Sequence, residues 1–240
     1  MYDPKRILDF PALLNARDLG GYPTIDGSRT RYRSLLRSDD LAQLTTAGLE
    51  AFSNYGIETV VDLRWPEEIA ASPTPIQALK HIRYEQVSLL TPTTKEWRVR
   101  RAEDKAKELW NRAMLEKVRE ELREVLSVMA SASSGPLLFH CMAGKDRTGV
   151  IAALMLALAD AVPEAIAYDY TVSTENLREP YLKRYTDFDP AEVIDAVQCP
   201  EAGIHNMLAY LEKFGGAQAY LEEIGVPGVH IERLRARLRD

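Results

Sequence analysis

The chain has 240 residues, 46% apolar and 28% charged, which is enough for one large domain with a full core. Thirty Lys and Arg against 36 Asp and Glu leave a formal charge of −6; this argues against general nucleic-acid binding, and any anionic ligand needs positive charge gathered in one pocket. Two cysteines, Cys141 and Cys199, exclude a disulfide framework and suit a reducing compartment.

The opening residues, Met1-Tyr2-Asp3-Pro4-Lys5, lack the pattern of a secretory signal. A cytoplasmic location is expected, and export without a classical signal stays open. Asn15-Ala16-Arg17-Asp18-Leu19-Gly20-Gly21-Tyr22 reads as a structured loop. Tyr32–Arg37 reads as a short strand. Thr45 is placed to cap a helix that runs to about Tyr55 and closes at Gly56. The β-branched run Ile57–Arg64 reads as a central strand. Pro66 then suits the first turn of a helix, with Glu67 and Glu68 near its positive end. Ile82–Val87 is a further strand candidate.

From about Lys95 to Met129 the pattern is helical, with Leu115, Val118, Leu122, Val125, Leu126 and Met129 on one stripe. Ser133-Ser134-Gly135-Pro136 breaks it. Leu137–His140 is a short buried strand, followed by a glycine-containing loop and an apolar helix from about Arg147. The run Val150–Ala159 is about half the length a bilayer needs, so it reads as a buried helix, not a transmembrane segment. Pro163 starts another helix, and the remainder past Cys199-Pro200 reads as short helices broken at Gly215-Gly216 and Gly225. Strands alternating with helices imply an α/β fold with a central, mainly parallel sheet flanked by helices, in a single domain over 1–240. Residues of about 95–130 form a helical insert or lid in this reading.

The chemistry is concentrated in His140-Cys141-Met142-Ala143-Gly144-Lys145-Asp146-Arg147-Thr148-Gly149. Cys141 and Arg147 bracket a tight loop between strand and helix, at the sheet end where such folds bind ligands. The backbone N–H groups of Met142, Ala143, Gly144 and Lys145 can converge on one anion, and the following helix adds its N-terminal dipole. Arg147 offers a two-pronged clamp for phosphate oxygens. The same positive groups favour a thiolate at Cys141, a poised nucleophile whose attack on phosphorus gives a phosphocysteine for water to hydrolyse. Thr148 can donate its hydroxyl to the sulfur and ease its departure.

This segment resembles the signature of the protein tyrosine phosphatase superfamily, and its Gly144–Gly149 half resembles the bacterial tyrosine phosphatases with lipid phosphatase activity. Asn15–Gly21 is similar to that branch's amino-terminal motif, with Ala16 where an aromatic is common. Val61-Asp62-Leu63-Arg64 with Glu67-Glu68 is similar to its central motif, and Tyr220–Glu223 through Glu232-Arg233-Leu234 to its helical tail. The resemblance implies the phosphatase fold, no metal and no cofactor. It also implies phosphotyrosine proteins, with dual specificity or phosphoinositides as extensions, and inhibition by phosphate or vanadate. An inactive phosphoryl-binding module is the alternative.

Lys145 is a candidate second positive group at the pocket mouth, suited to substrates with more than one phosphate. Asp146 is the expected general acid, a position the resembling branch uses, and Asp62 is the runner-up. His140 is expected to hold the loop. Arg17 and Asp18 are expected to pair with each other, or Arg17 to face the pocket. Arg98-Val99-Arg100-Arg101 reads as a solvated helix face with Glu96–Arg100, Glu103–Lys107 and Glu108–Arg112 spaced for ion pairs, the alternative being a lid or lipid-facing surface. Cys199 and His205 are too few for a zinc site.

Overall fold

The computed structural model describes residues 2–90 and 107–239. Among these, a five-stranded sheet runs in the order β1-β2-β5-β3-β4, from β1 (Arg17–Asp18), β2 (Leu35–Ser38), β3 (Thr59–Asp62), β4 (Arg83–Gln86) and β5 (Leu137–His140). β1 is antiparallel to β2, and the other pairs are parallel. β2, β3 and β5 are buried along their whole length, as parallel strands covered on both faces must be.

Alternation of side chains across a strand divides the core in two. Leu137 and Phe139 of β5 enter a large cluster with Leu35 and Val61, whereas Leu138 enters a smaller one with Leu36 and Val60. The smaller cluster is closed by Phe52 of α1 (Thr46–Tyr55) and by Leu8 and Phe10. The larger is filled mainly by α4 (Arg119–Ala130) and α5 (Asp146–Leu158), with help from α3 (Trp110–Lys117), α6 (Pro163–Arg184), α8 (Glu201–Glu212), α9 (Ala217–Glu223) and α10 (Gly228–Leu238). The short helices α2 (Pro66–Ala71) and α7 (Pro190–Val197) lie at the periphery of this packing.

Register places the site. Ser38 and Asp62 both lie opposite His140, so three parallel strands end at one level. The residues that follow them, Asp39, Leu63 and Cys141, open at the same edge of the sheet.

The expected elements are present with shifted ends. The strand expected over Tyr32–Arg37 begins only at Leu35, because Arg33 takes a left-handed φ of 58°. Thr45 caps α1 through Gly48 N, and Gly56 closes it at φ 84°. The stripe from Leu115 to Met129 is fully buried, but it is carried by two helices, since Val118 at φ −119°, ψ 41° leaves the helical region between α3 and α4. This part packs into the core. Residues 91–106 lie outside the described residues, and with them the Arg98–Arg101 cluster and the Glu96 and Glu103 pairings. Arg112 pairs with Glu116 at 2.8 Å and not with Glu108, while Lys107 reaches Asp195 at 2.6 Å. No helix among the described residues is long and apolar enough to cross a membrane.

Candidate active site

β5 ends at His140, and α5 begins at Asp146 without a side-chain cap on its first N–H groups. Every carbonyl of the loop between them that would point at an anion is held elsewhere. His140 O accepts from Leu63 N at 2.9 Å and Met142 O from Asp40 N at 3.0 Å. Cys141 O accepts from His140 Nδ1 at 3.2 Å, which makes that nitrogen the protonated one. The Asn15 amide donates to Ala143 O and Gly144 O, each at 3.1 Å, and Arg37 Nη2 adds a second bond to Gly144 O. With its carbonyls turned out, the loop presents its N–H groups to a central anion. Gly144 makes this path possible: its φ is 63°, and a Cβ there would stand 2.4 Å from Ser38 O.

Cys141 sits at the floor of this nest, free and only 3% exposed. Thr148 is fully buried and its Oγ1 has no hydrogen-bond partner in the protein. A buried hydroxyl without a partner is costly, and here it suits a donor kept for the sulfur or for a bound oxyanion. Arg147 is clamped by Glu68 of α2, Nη1 to Oε2 at 2.6 Å and Nη2 to Oε1 at 2.8 Å. Leu63 O takes a further, longer bond at 3.4 Å. A guanidinium has five donors, so others remain for phosphate oxygens. Burial works against the charge, and Glu68 and the Cys141 sulfur more than restore it, holding Arg147 above the ordinary arginine range.

Behind the nest lies a buried ionic cluster. Asp169 of α6 accepts from Arg17 Nε at 2.8 Å and from Arg37 Nη1. Burial would raise Asp169, but the two arginines outweigh it and bring its pKa down to about 2. Arg17 gives its remaining N–H groups to Asn15 O, Asn15 Oδ1, Asp169 O and Ser173 Oγ. Asn176 Nδ2 also bonds Asn15 Oδ1 at 3.1 Å, so α6 fixes the asparagine that fixes the loop.

Residues 8–240 match the family model described as the tyrosine phosphatase family. The chain belongs to that family. It is 28% identical over 219 residues to a tyrosine-protein phosphatase of Nostoc commune, covering 85% of this chain and 74% of that one. It is 25% identical over 280 residues to the triple specificity protein phosphatase PtpB of Mycobacterium tuberculosis, covering 97% and 99% respectively. A more distant likeness is to the crystal structure of TpbA from P. aeruginosa, with 18% identity, a TM-score of 0.38, and 69% of this chain and 89% of that one covered.

The phosphatase brings Cys141, Met142, Ala143, Gly144, Lys145, Asp146, Arg147 and Thr148 into one loop and helix start. Lys145 Nζ bonds Asp146 Oδ1 at 2.8 Å, with the lysine side chain 12% and the aspartate 38% exposed. Burial disfavours the ammonium, but Asp146 and the nearby sulfurs of Cys199 and Cys141 hold it above the ordinary lysine range.

Asp62 is spent structurally. Fully buried, it accepts from Arg64 N, Nε and Nη2 and from the Tyr84 hydroxyl at 2.6 Å, and stands 3.4 Å from His140 Nε2. Burial opposes its charge, yet His140 and Arg64 hold it well below the usual carboxylate range. Arg17 and Asp18 do not pair, because neighbours on a strand face opposite ways. Asp18 instead accepts from Gly20 N, Arg33 N and Tyr55 OH. Arg17 is turned to Asp169 behind the loop and does not face the pocket. Cys199 is buried, whereas His205 lies exposed beside Glu201, so the two are not gathered.

Sequence reasoning missed Glu68 as the partner of Arg147, and Asn15, Arg37 and Asp169 as loop braces. Two signals were present: Arg37 in an apolar strand, and Asp169 in a helix whose neighbours are largely apolar.

Proposed function

We propose that the chain hydrolyses phosphotyrosine esters through a phosphocysteine on Cys141. The observation that carries this reading is the loop with all five carbonyls from His140 to Gly144 held outward, over a free cysteine and beside a braced arginine. In the first step the Cys141 sulfur bonds to phosphorus, the phosphorus–oxygen ester bond breaks, and the departing phenolate takes a proton from Asp146. In the second, water attacks phosphorus, gives its proton to the Asp146 carboxylate, and the Cys141 thiolate leaves with help from Thr148. Loop N–H groups and Arg147 stabilise the equatorial oxygens in both steps.

Asp146 is preferred over Asp62 as the acid on access: it is 38% exposed at the loop, whereas Asp62 is enclosed by Arg64 and Tyr84. Phosphotyrosine as substrate is supported by the family and by the relatives, which are tyrosine-protein phosphatases by name; the triple specificity of the mycobacterial relative supports a range wider than phosphotyrosine. Extension to phosphoinositides would rest on Lys145, whose ammonium must then be shared between Asp146 and a second phosphate.

The test is phosphate release from phenyl phosphate and a phosphotyrosine peptide, with acid-quenched samples searched for phosphate on Cys141. Release with a phosphocysteine adduct is expected. Wild-type protein that binds phosphate and releases none would mark a binding module instead.

A further inference from the structure

At the end of the sheet opposite the phosphate loop lies a cavity of about 350 Å³. It opens where two central strands begin: Ser34 directly precedes β2, and Ala130, Ala132 and Ser134 lie just before β5. The four-residue strands, roughly 13 Å long, separate this end from the level of Ser38 and His140. The cavity is therefore distinct from the catalytic nest.

Its wall is unusual for a chain with a formal charge of −6. Arg31, Arg233 and Arg237 line it with Ser34 and Ser134, alanines complete it, and no carboxylate belongs to it among the described residues. Arg237 is only 7% exposed, yet its hydrogen bonds go to carbonyls: Nη1 to Gly135 O at 3.2 Å, and Nη2 to Ala132 O at 3.2 Å and Ser133 O at 2.5 Å. A guanidinium has five donors, so these bonds leave some for a ligand. A buried charge is ordinarily paired with an opposite one. Here burial pushes the guanidinium below the ordinary arginine range. The charge that supports it is Glu58, which lies outside the cavity wall and takes the Ser133 hydroxyl at 2.6 Å. Arg233 stands one turn earlier on α10, exposed and without an ion pair among the described residues. Like charges four positions apart on a helix repel, and an anion between them removes that cost. Arg31 donates to Arg239 O at 3.0 Å, which holds it beside the end of α10. Ser34, 5% exposed, adds a buried hydroxyl.

We infer that this cavity is a second phosphate site, in which Arg233 and Arg237 clamp the phosphate of a small monoester, Ser34 donates to it and the alanines face its stem. Arginine forks match phosphate oxygens, and a concave wall of one charge sign concentrates anions. The volume lies at the lower end of the range of small-molecule sites, roughly 300–1,000 Å³, so there is room for a stem beyond the phosphate itself. The same group is offered by a soluble phosphorylated compound and by a phosphoinositide headgroup. Neither needs the chemistry of Cys141, so the site stands apart from the phosphatase reading.

The experiment follows backbone amide shifts by NMR as ethylphosphonate, a monoester mimic that cannot be hydrolysed, is added to wild type, Arg233→Glu and Arg237→Lys. Each protein is checked by thermal melting. In wild type two sets of shifts are expected, one over residues 141–148 and one over Ser34, Ser134 and residues 233–237, each with its own midpoint. Arg233→Glu changes an exposed side chain that braces no carbonyl, so the fold should hold. It should weaken the second set by about tenfold and leave the first set and kcat for phenyl phosphate unchanged. Arg237→Lys, which cannot fork, should weaken the second set at least as much; if that variant unfolds, Arg233→Glu alone decides. Sedimentation with vesicles of phosphatidylcholine, with and without phosphatidylinositol 4-phosphate, separates the sources. Capture that needs both that lipid and Arg233 assigns the phosphate to a headgroup, and ethylphosphonate binding without capture assigns it to a soluble compound. Wild-type shifts confined to 141–148, or a second set that Arg233→Glu leaves unchanged, would overturn the site while leaving the phosphatase reading intact.

Discussion

From His140 to Gly144 each carbonyl of the loop is held by a donor, supplied by Asn15, by Arg37 and Asp40, by Leu63 and by His140 itself. At the mouth of the same pocket, Lys145 and Asp146 hold each other across one 2.8 Å contact. The floor is over-determined because any carbonyl that turned inward would face the anion with negative charge. The rim carries no such penalty, so a changed side chain there leaves the path of the loop intact. Chemistry should therefore be brittle to changes in the floor and its supports, and substrate choice should respond to changes in the rim.

The largest expected effect is at the floor. Cys141→Ser should lower turnover by more than about 1,000-fold while phosphate still binds, since a serine hydroxyl offers no comparable anion at neutral pH. Calorimetry with inorganic phosphate beside the kinetic assay checks both halves; near-normal turnover would refute the nucleophile. Next is the support behind the floor. Asp169→Asn leaves Arg17 and Arg37 buried with less compensation and should destabilise the fold by about 3 kcal/mol near neutral pH. The folded carboxyl titrates at about 2 against 3.8 for an unperturbed aspartate, so its contribution is fully present above pH 3.8 and is lost as pH falls through 2. Urea midpoints of wild type and variant should thus converge between pH 4 and pH 2. A gap that stays constant over that range would show that the asparagine penalty is packing and not charge.

Glu68→Gln tests whether Arg147 needs its clamp. Losing the carboxylate partner should misplace the guanidinium and cost about 30-fold in kcat/KM, less than the roughly 100-fold expected for Arg147→Lys. Equal activity in Glu68→Gln and wild type would mean that Leu63 O and the loop alone orient Arg147. Asp146→Asn should cost about 100-fold with phenyl phosphate and much less with a leaving group that departs without a proton. A uniform loss across leaving groups would reduce Asp146 to a brace for Lys145.

Much of this was legible before any coordinates. The strand Leu137–His140, the loop and the helix after it follow from an apolar run, a glycine and a second apolar run, and Cys141 and Arg147 are bracketed by them. The cap at Thr45, the stop at Gly56 and the breaks at Gly215-Gly216 and Gly225 were readable because each depends on one residue's backbone preference. What escaped was pairing across sequence distance. Arg17 meets Asp169 across 152 positions and Asn15 meets Gly144 across 129. No local pattern carries such contacts, and the nearer choice, Arg17 with Asp18, fails because strand neighbours diverge. Arg147 and Glu68 likewise meet only because β3 and β5 are adjacent and parallel and end together.

The smallest effect is expected at Lys145, and it separates two roles that the geometry joins. The ammonium lies against Asp146 with only 12% of its side chain exposed, so it is already partly neutralised and cannot attract a distant charge strongly. A second phosphate on the substrate would have to draw it from the aspartate, exchanging one contact for another. The net gain is small, and Lys145→Ala should cost only about threefold to fivefold on a short-chain phosphoinositide carrying two phosphates. On phenyl phosphate, which offers no second charge, the loss should stay within about twofold if Lys145 serves the substrate. The assay is the ratio of kcat/KM for the two compounds at low and at moderate salt. A ratio that falls in the variant, and falls less as salt rises, assigns Lys145 to the second phosphate. Equal losses on both compounds assign it to Asp146, and the rim then contributes to the chemical step through that aspartate and not through charge selection.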